Sequence, residues 1–322
     1  MKGKHLLITG GTGSFGTSAV PRFLAAGARG VTIFSRDEYK QFQMKRSLEG
    51  DDRVGFILGD VRDLPRLDEA CRGVDYLIHA AAMKQVPACQ ENVEEAVKTN
   101  ILGTANVVHA AISNGVDCAI NLSADKALYP TSVYGATKLL AESLFTEGNK
   151  LGNVRFVNLR YSNVMASRGS VFEVFRERLL EDGTVTVFDP RMRRFFLTQK
   201  EVVDLCSFAF ENAVGGETYI KESQPVSILE LGQVMVEVIG KGRLEVKEHD
   251  GRPGEKLDAV LLSREESSHA VRFGDLFILN PLGRQLKLQR TSFLEERDYL
   301  LDDYQPMGRE QLIGMIKEEL AT

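Results

Sequence analysis

Short apolar runs alternate with longer amphipathic stretches through the first half of the chain. The runs HLLIT (5–9), VTIFS (31–35), VGFIL (54–58), DYLIH (75–79), DCAINLS (117–123) and VRFVNL (154–159) are too short for buried helices and too continuously apolar for half-exposed strands. They predict buried parallel strands. Between them, segments 14–26, 37–48, 92–114 and 133–150 are long enough to be helical crossovers. Right-handed crossovers wind such helices onto both faces of one sheet. The predicted fold class is therefore α/β, a doubly wound parallel sheet with a smaller C-terminal substrate domain.

The alternation weakens after about residue 165. A polar, arginine-rich stretch, DPRMRRFFLTQKE (189–201), precedes helix-like segments at 201–213 and 227–239. Residues 1–165 read as the nucleotide-binding domain, to which later segments can return, and 166–322 as mainly a substrate domain and C-terminal tail. The tail from about 264 holds charge clusters and one strand-like run, LFILN (276–280), with no assignable chemistry.

Composition narrows the function classes. With 322 residues, 43% hydrophobic and 26% charged, the chain can bury a large core, and its net charge of −5 offers no general attraction for nucleic acid or anionic membrane. An anionic substrate must meet local basic residues. The cysteines at 71, 89, 118 and 206 form no close pair and no metal-ligand spacing, so reduced thiols and no metal are expected. The N-terminal apolar run is too short for a signal peptide, and no run approaches the roughly 18 residues of a membrane span. A cytoplasmic location is expected.

The string LLITGGTGSFG sets Gly10, Gly13 and Gly16, with Ser14 and Phe15 between the last two, directly after the first strand and at the start of a helix. Glycines there let the backbone turn sharply and approach a pyrophosphate, which the helix N-terminus attracts. This predicts a dinucleotide site. The second strand ends in Ser35 and Arg36, where an acidic residue would hold the ribose of NAD. Arginine pairs with a 2′-phosphate, so NADP is the expected cofactor; a solvated Arg36 with Asp37 on the ribose is the alternative. Asp60 and Val61 follow the third strand at the expected adenine edge. Ala80, Ala81 and Ala82 follow the fourth and leave room for the cofactor ribose.

Tyr134 and Lys138 in VYGATKLLAE are spaced i, i+4 and share one helix face. A neighbouring ammonium favours the phenolate and lowers a phenol pKa of about 10. Such a tyrosine can take the proton of a sugar hydroxyl while its carbon passes hydride to a nicotinamide. Asp125 and Lys126 follow the fifth strand, an acid beside a potential base. They are what loss of water from a sugar needs, provided the amine is held partly neutral. An exposed ion pair in a turn is the alternative.

These strings resemble the UDP-N-acetylglucosamine 4,6-dehydratases of the 5-inverting type, which are extended short-chain dehydrogenases with a Rossmann domain. The resemblance covers roughly residues 4–280 and rests on TGGTGSFG, FSRDEYKQ, GDVRD, HAAAMKQVP, TNILGTANV, SADKALYPTSVYGATK, RYSNVMASRGSV, DPRMRRFFLT and GRPGEKLD. It implies that Tyr134 starts oxidation at C4, Asp125 assists loss of the C6 hydroxyl, and Lys126 removes the C5 proton. Hydride then returns to C6, so that bound NADP is regenerated. It further implies Lys84 and Asn163 on the sugar, Arg194 and Arg252 on the UDP diphosphate, a homo-oligomer, and a product used in surface glycans. Three positions depart from the pattern. Ala124 stands for a threonine, Ser162 for a glycine and Arg193 for a threonine. Strand alternation is expected to turn Ser123 away from the face that position 124 serves.

Overall fold

The computed structural model describes residues 1–247 and 259–320. The predicted strands are β1 (His5–Thr9), β2 (Gly30–Ser35), β3 (Val54–Leu58), β4 (Tyr76–His79), β5 (Cys118–Leu122) and β6 (Arg155–Arg160). Shorter strands follow: β7 (Asn163–Val164), β8 (Thr184–Val187), β9 (Arg193–Leu197), β10 (Thr218–Lys221), β11 (Pro225–Ser227), β12 (Arg243–Val246), β13 (Val260–Leu262), β14 (Ala270–Phe273), β15 (Leu276–Leu279), β16 (Ser292–Phe293) and β17 (Tyr299–Leu300).

One ten-stranded sheet runs β3-β2-β1-β4-β5-β6-β10-β15-β14-β16. It is parallel from β3 to β10 and antiparallel beyond. Its core strands are apolar on both faces because both faces are covered. Leu6 and Ile8 of β1 pack in one cluster, with residues from α1 (Ser14–Ala25), while Leu7 packs in the other, on the opposite face. This is the doubly wound Rossmann fold. Strand order reverses between β1 and β4, which opens a crevice at the carboxyl ends of these strands, where ligands bind in such sheets.

The remaining crossover helices are α2 (Glu38–Ser47), α3 (Leu64–Ala70), α4 (Val86–Glu91), α5 (Val93–Val97), α6 (Gly103–Ser113) and α7 (Val133–Gly148). The segment expected as one helix over 92–114 is interrupted by a π-turn at Lys98–Leu102. The interruption has a use. The Asn100 amide brackets the backbone of Met83, accepting from its N–H at 2.8 Å and donating to its carbonyl at 2.9 Å, so it fixes the chain leaving β4.

After β6 the chain builds a second packed body. The helices α8 (Val171–Glu181), α9 (Gln199–Asn212) and α10 (Ile228–Ile239) follow, with α9 returning to the large sheet. Phe172, Phe175, Val185, Leu231, Met235, Leu312 and Ile316 form the second body's core. The run at 276–280 is β15, which enters the large sheet antiparallel to β10. All four cysteines are buried and unpaired. Among the described residues no helix is long and apolar enough to cross a membrane, and no cluster of His, Cys, Asp and Glu is placed to hold a metal ion.

Candidate active site

The glycine turn joins β1 to α1 at the strand reversal. Gly10 has φ +66°, and a Cβ there would sit 2.7 Å from the Ala81 Cα. A Cβ on Gly16 would meet the Gly11 carbonyl oxygen at 1.9 Å. These two glycines are demanded by the protein's own packing. Gly13 is different: its Cβ would meet only the Gly10 oxygen, at 3.1 Å. Gly13 is also the N-cap of α1, and no side chain caps that helix end. Its first N–H groups therefore face the crevice, a suitable cradle for a diphosphate. Gly16→Ala is expected to lower the melting temperature and abolish cofactor retention. Gly13→Ala is expected to fold normally and bind the dinucleotide at least about tenfold more weakly, as titration would show.

The crevice continues into one cavity of about 1250 Å³, somewhat above the roughly 300–1,000 Å³ of most small-molecule sites. Gly10, Gly13, Ser14, Phe15, Ser35, Arg36, Asp60, Val61, Ala80, Ala81 and Ala82 all line it, and Gly16 lies behind the turn. The Ser35 hydroxyl is held by the Gln41 amide at 3.0 Å. Arg36 is largely exposed, with its guanidinium 3.8 Å from the Asp60 carboxylate. Burial alone would raise the Asp60 pKa, but bonds from the Arg62 guanidinium and backbone outweigh it and hold the carboxyl below its ordinary value. Lys40, which sequence reasoning missed, lines the cavity beside Arg36. Its place in the first turn of α2, directly after the strand end that carries Ser35 and Arg36, was the available signal.

At the other end, β5 finishes at Leu122 and a 3-10 turn covers Asp125–Ala127. The first turn of α7 packs directly on this turn. A Cβ on Gly135 would lie 2.3 Å from the Lys126 carbonyl oxygen, and Ser132 caps the helix by accepting from the Gly135 N–H at 3.2 Å. This contact brings Asp125, Lys126, Tyr134 and Lys138 to one wall of the cavity. The Lys126 ammonium donates to the Asp125 carboxylate at 3.1 Å, with the Asp125 side chain 6% exposed and that of Lys126 35% exposed.

Burial dominates the tyrosine and its lysine. It raises the Tyr134 phenol well above its ordinary value, with the Asp125 charge and then Cys89 adding to the rise. It pulls Lys138 down to about 8, opposed by Glu142. The Lys138 ammonium donates to the Leu122 carbonyl at 2.7 Å. The sequence expectation that Lys138 would set the phenol below its usual pKa is therefore corrected: in the protein by itself the desolvation cost prevails. Glu142 in turn is gripped by the buried Arg160 at 2.6 and 3.0 Å, which fixes α7 against β6.

Lys84, Asn163 and Arg194 also line the cavity, so the candidate sugar and diphosphate residues share it with the cofactor turn. Lys84 has its pKa lowered by desolvation, with Glu173 opposing and Arg168 adding to the fall. Alternation along β9 separates Arg193 from Arg194, while Arg191 precedes the strand and also lines the cavity. Arg194 is buried at the cavity wall, Arg193 instead pairs with Asp302 at 2.8 Å, and Arg191 is tied to Asp189 at 2.8 Å. Arg252 lies outside the described residues. The strand-alternation argument about Ser123 does not hold, because both Ser123 and Ala124 line the cavity. Ala124 packs with Cys89, Ala96 and Tyr134 in an apolar cluster. Arg168 was also missed. Its backbone N–H donates to the Ser14 hydroxyl at 2.8 Å, closing the 165–170 segment over the start of α1.

Comparison with known proteins places this site in context. The chain is 38% identical over 328 residues to a UDP-glucose 4-epimerase of Rickettsia rickettsii, spanning 99% of this chain and 96% of that protein. It superposes on the X-ray structure of Pen from Bacillus thuringiensis with a TM-score of 0.93 and 34% identity, covering 100% of this chain and 99% of that one. The fold is shared with DesIV, a dTDP-glucose 4,6-dehydratase from Streptomyces venezuelae solved with NAD bound, at a TM-score of 0.71 and 23% identity over 79% of this chain and 86% of that one. A family profile matches residues 6–281, nearly all of the sheet and the cavity around it. The chain belongs to the polysaccharide biosynthesis protein family.

Proposed function

We propose that this protein is a nucleotide-sugar 4,6-dehydratase that works with a resident NADP and acts on UDP-N-acetylglucosamine with inversion at C5. The single observation that carries the dehydratase reading is the Asp125–Lys126 pair, set 3.1 Å apart on the cavity wall shared with Tyr134. Exchange of configuration at C4 alone has no use for a buried carboxyl joined to an amine. Family membership, the relative named as an epimerase and the fold shared with a 4,6-dehydratase support the wider class, enzymes that work on the hexose of a nucleotide sugar.

A nicotinamide supplies reversible hydride acceptance when bound. The uncapped start of α1, the close glycine turn and the cations at the end of β2 suit NADP. Tyr134 takes the C4 hydroxyl proton, and the ketone so formed acidifies the C–H at C5. Lys126 then accepts the C5 proton while Asp125 protonates the departing C6 oxygen. One proton shift supplies both groups, because moving the shared proton from Lys126 to Asp125 gives a free amine and a carboxylic acid together. A proton then enters at C5 from the face opposite Lys126, balancing the one that Tyr134 took from the C4 hydroxyl, and this inverts that carbon.

Purified protein loaded with NADP and given UDP-N-acetylglucosamine should yield a product lighter by one water in mass spectrometry. A product of unchanged mass identifies the second reading, a 4-epimerase, which the name of the Rickettsia relative favours. Unconverted substrate with a panel of UDP-, GDP- and dTDP-sugars defeats both. For the cofactor, Arg36→Ala is expected to weaken NADP binding about ten- to a hundredfold while leaving NAD unchanged, as a charged bond to phosphate is removed. Wild-type protein that binds NAD as tightly as NADP contradicts the assignment.

A further inference from the structure

Two serine hydroxyls line the cavity without using their hydrogen-bonding capacity. Among the described residues, the buried oxygens of Ser123 and Ser162 have no hydrogen-bond partner. An unsatisfied buried hydroxyl costs stability, so its persistence in a ligand cavity points to the ligand as the missing partner. Ser162 is 8% exposed and Asp125 7%.

The sheet register says which part of a ligand Ser162 meets. In the parallel pairing of β5 and β6, Leu122 lies opposite Leu159. The ladder continues past both strand ends, with the Ser123 N–H donating to the Leu159 carbonyl at 2.8 Å and the Asp125 N–H to the Tyr161 carbonyl at 3.1 Å. Carried on at the same offset, this sets Ser162 opposite Asp125. Ser123 falls opposite Arg160, next to Leu122, whose carbonyl holds Lys138. Tyr134, by contrast, is packed against the apolar side chains of Ala124, Ala96 and Cys89.

We infer that Ser162 binds the C6 hydroxyl of the sugar, holding the leaving oxygen against Asp125 and so selecting hexoses with an intact C6 alcohol. This rests on the proposed reading in which Asp125 serves C6. A serine hydroxyl there can donate to the sugar oxygen while Asp125 approaches from the neighbouring strand extension. It can equally accept the sugar's own proton in the ground state.

The test is a binding comparison with the full chain carrying NADPH, the reduced cofactor, so that no oxidation begins. Wild type and Ser162→Ala are each titrated by calorimetry with UDP-N-acetylglucosamine, its 6-deoxy analogue, and UDP alone. Wild type should prefer the C6-hydroxyl sugar over the 6-deoxy sugar by about tenfold or more, as expected for a buried hydroxyl that a substrate group satisfies. In Ser162→Ala the two sugars should bind within about twofold of each other, with affinity for UDP unchanged. Without sugar, Ser162→Ala should melt at or above the wild-type temperature, because an unsatisfied buried group has been removed. That readout separates loss of a contact from a damaged fold. A Ser162→Ala protein that keeps the wild-type preference, or a wild type with no preference, overturns the inference. The dehydratase reading fails separately, if wild-type protein with NADP loses no water from UDP-N-acetylglucosamine while the binding preference is present.

Discussion

Asp125→Asn is expected to slow loss of water from the sugar by about a thousandfold while leaving oxidation at C4 intact. The substitution keeps the shape of a side chain that is nearly buried in the 3-10 turn, and its amide can still accept from Lys126. What it removes is the acid for the C6 oxygen and the site to which Lys126 passes its proton. Reduced nicotinamide should therefore accumulate and be visible by its absorbance, since hydride taken from C4 has no C6 acceptor. The same change moves Tyr134. Burial is the larger reason that its phenol sits above the ordinary value, and the Asp125 charge is the next. The active form of Tyr134 is favoured as pH rises through its pKa, so removing that negative charge shifts the rising limb of C4 oxidation to lower pH. An unshifted limb, or loss of C4 oxidation together with water loss, would count against a division of labour between the two residues.

Tyr134→Phe is expected to remove both steps, by about a thousandfold or more, with little change in ligand affinity. The ring packs with Cys89, Ala96 and Ala124, and phenylalanine preserves that packing. Without the phenol no group at this wall takes the C4 proton. No reduced nicotinamide should then appear and no hydrogen should leave C5. Stopped-flow absorbance and calorimetric titration together separate this outcome from Asp125→Asn, in which the first step survives. A Tyr134→Phe protein that still reduces its cofactor on mixing with sugar would move the C4 base elsewhere, and the unpartnered Ser123 hydroxyl beside Leu122 would be the first place to look.

Much of the fold was readable because the strands of a sheet covered on both faces are short, apolar throughout and evenly separated by crossovers. The glycine turn was readable for a local reason: its steric demands come from atoms a few residues away or on the adjacent strand. Less legible were β14 and β15, which enter the sheet as an antiparallel pair after a long excursion, since nothing in their own sequence encodes which edge they join. The π-turn at Lys98–Leu102 leaves the apolar periodicity of 92–114 intact and so hides in it. Among the candidate site residues, those on one strand end or one helix turn were the easiest to group. Lys40, Arg168 and Ser162 reach the cavity through tertiary approach, and Arg194 is set apart from Arg193 only by the alternation of a strand whose bounds the arginine-rich sequence conceals. The balance between burial and charge at Tyr134 is likewise a property of packing, which spacing along a helix cannot report.

Dehydration and epimerisation differ in where the hydrogen removed from C4 comes to rest. UDP-N-acetylglucosamine carrying deuterium at C4, converted in ordinary water and examined by NMR, reads this directly. If Tyr134, Asp125 and Lys126 act in sequence as proposed, the deuterium appears in the C6 methyl group of a 4-keto product. Deuterium still on C4, in a product of unchanged mass, would contradict it.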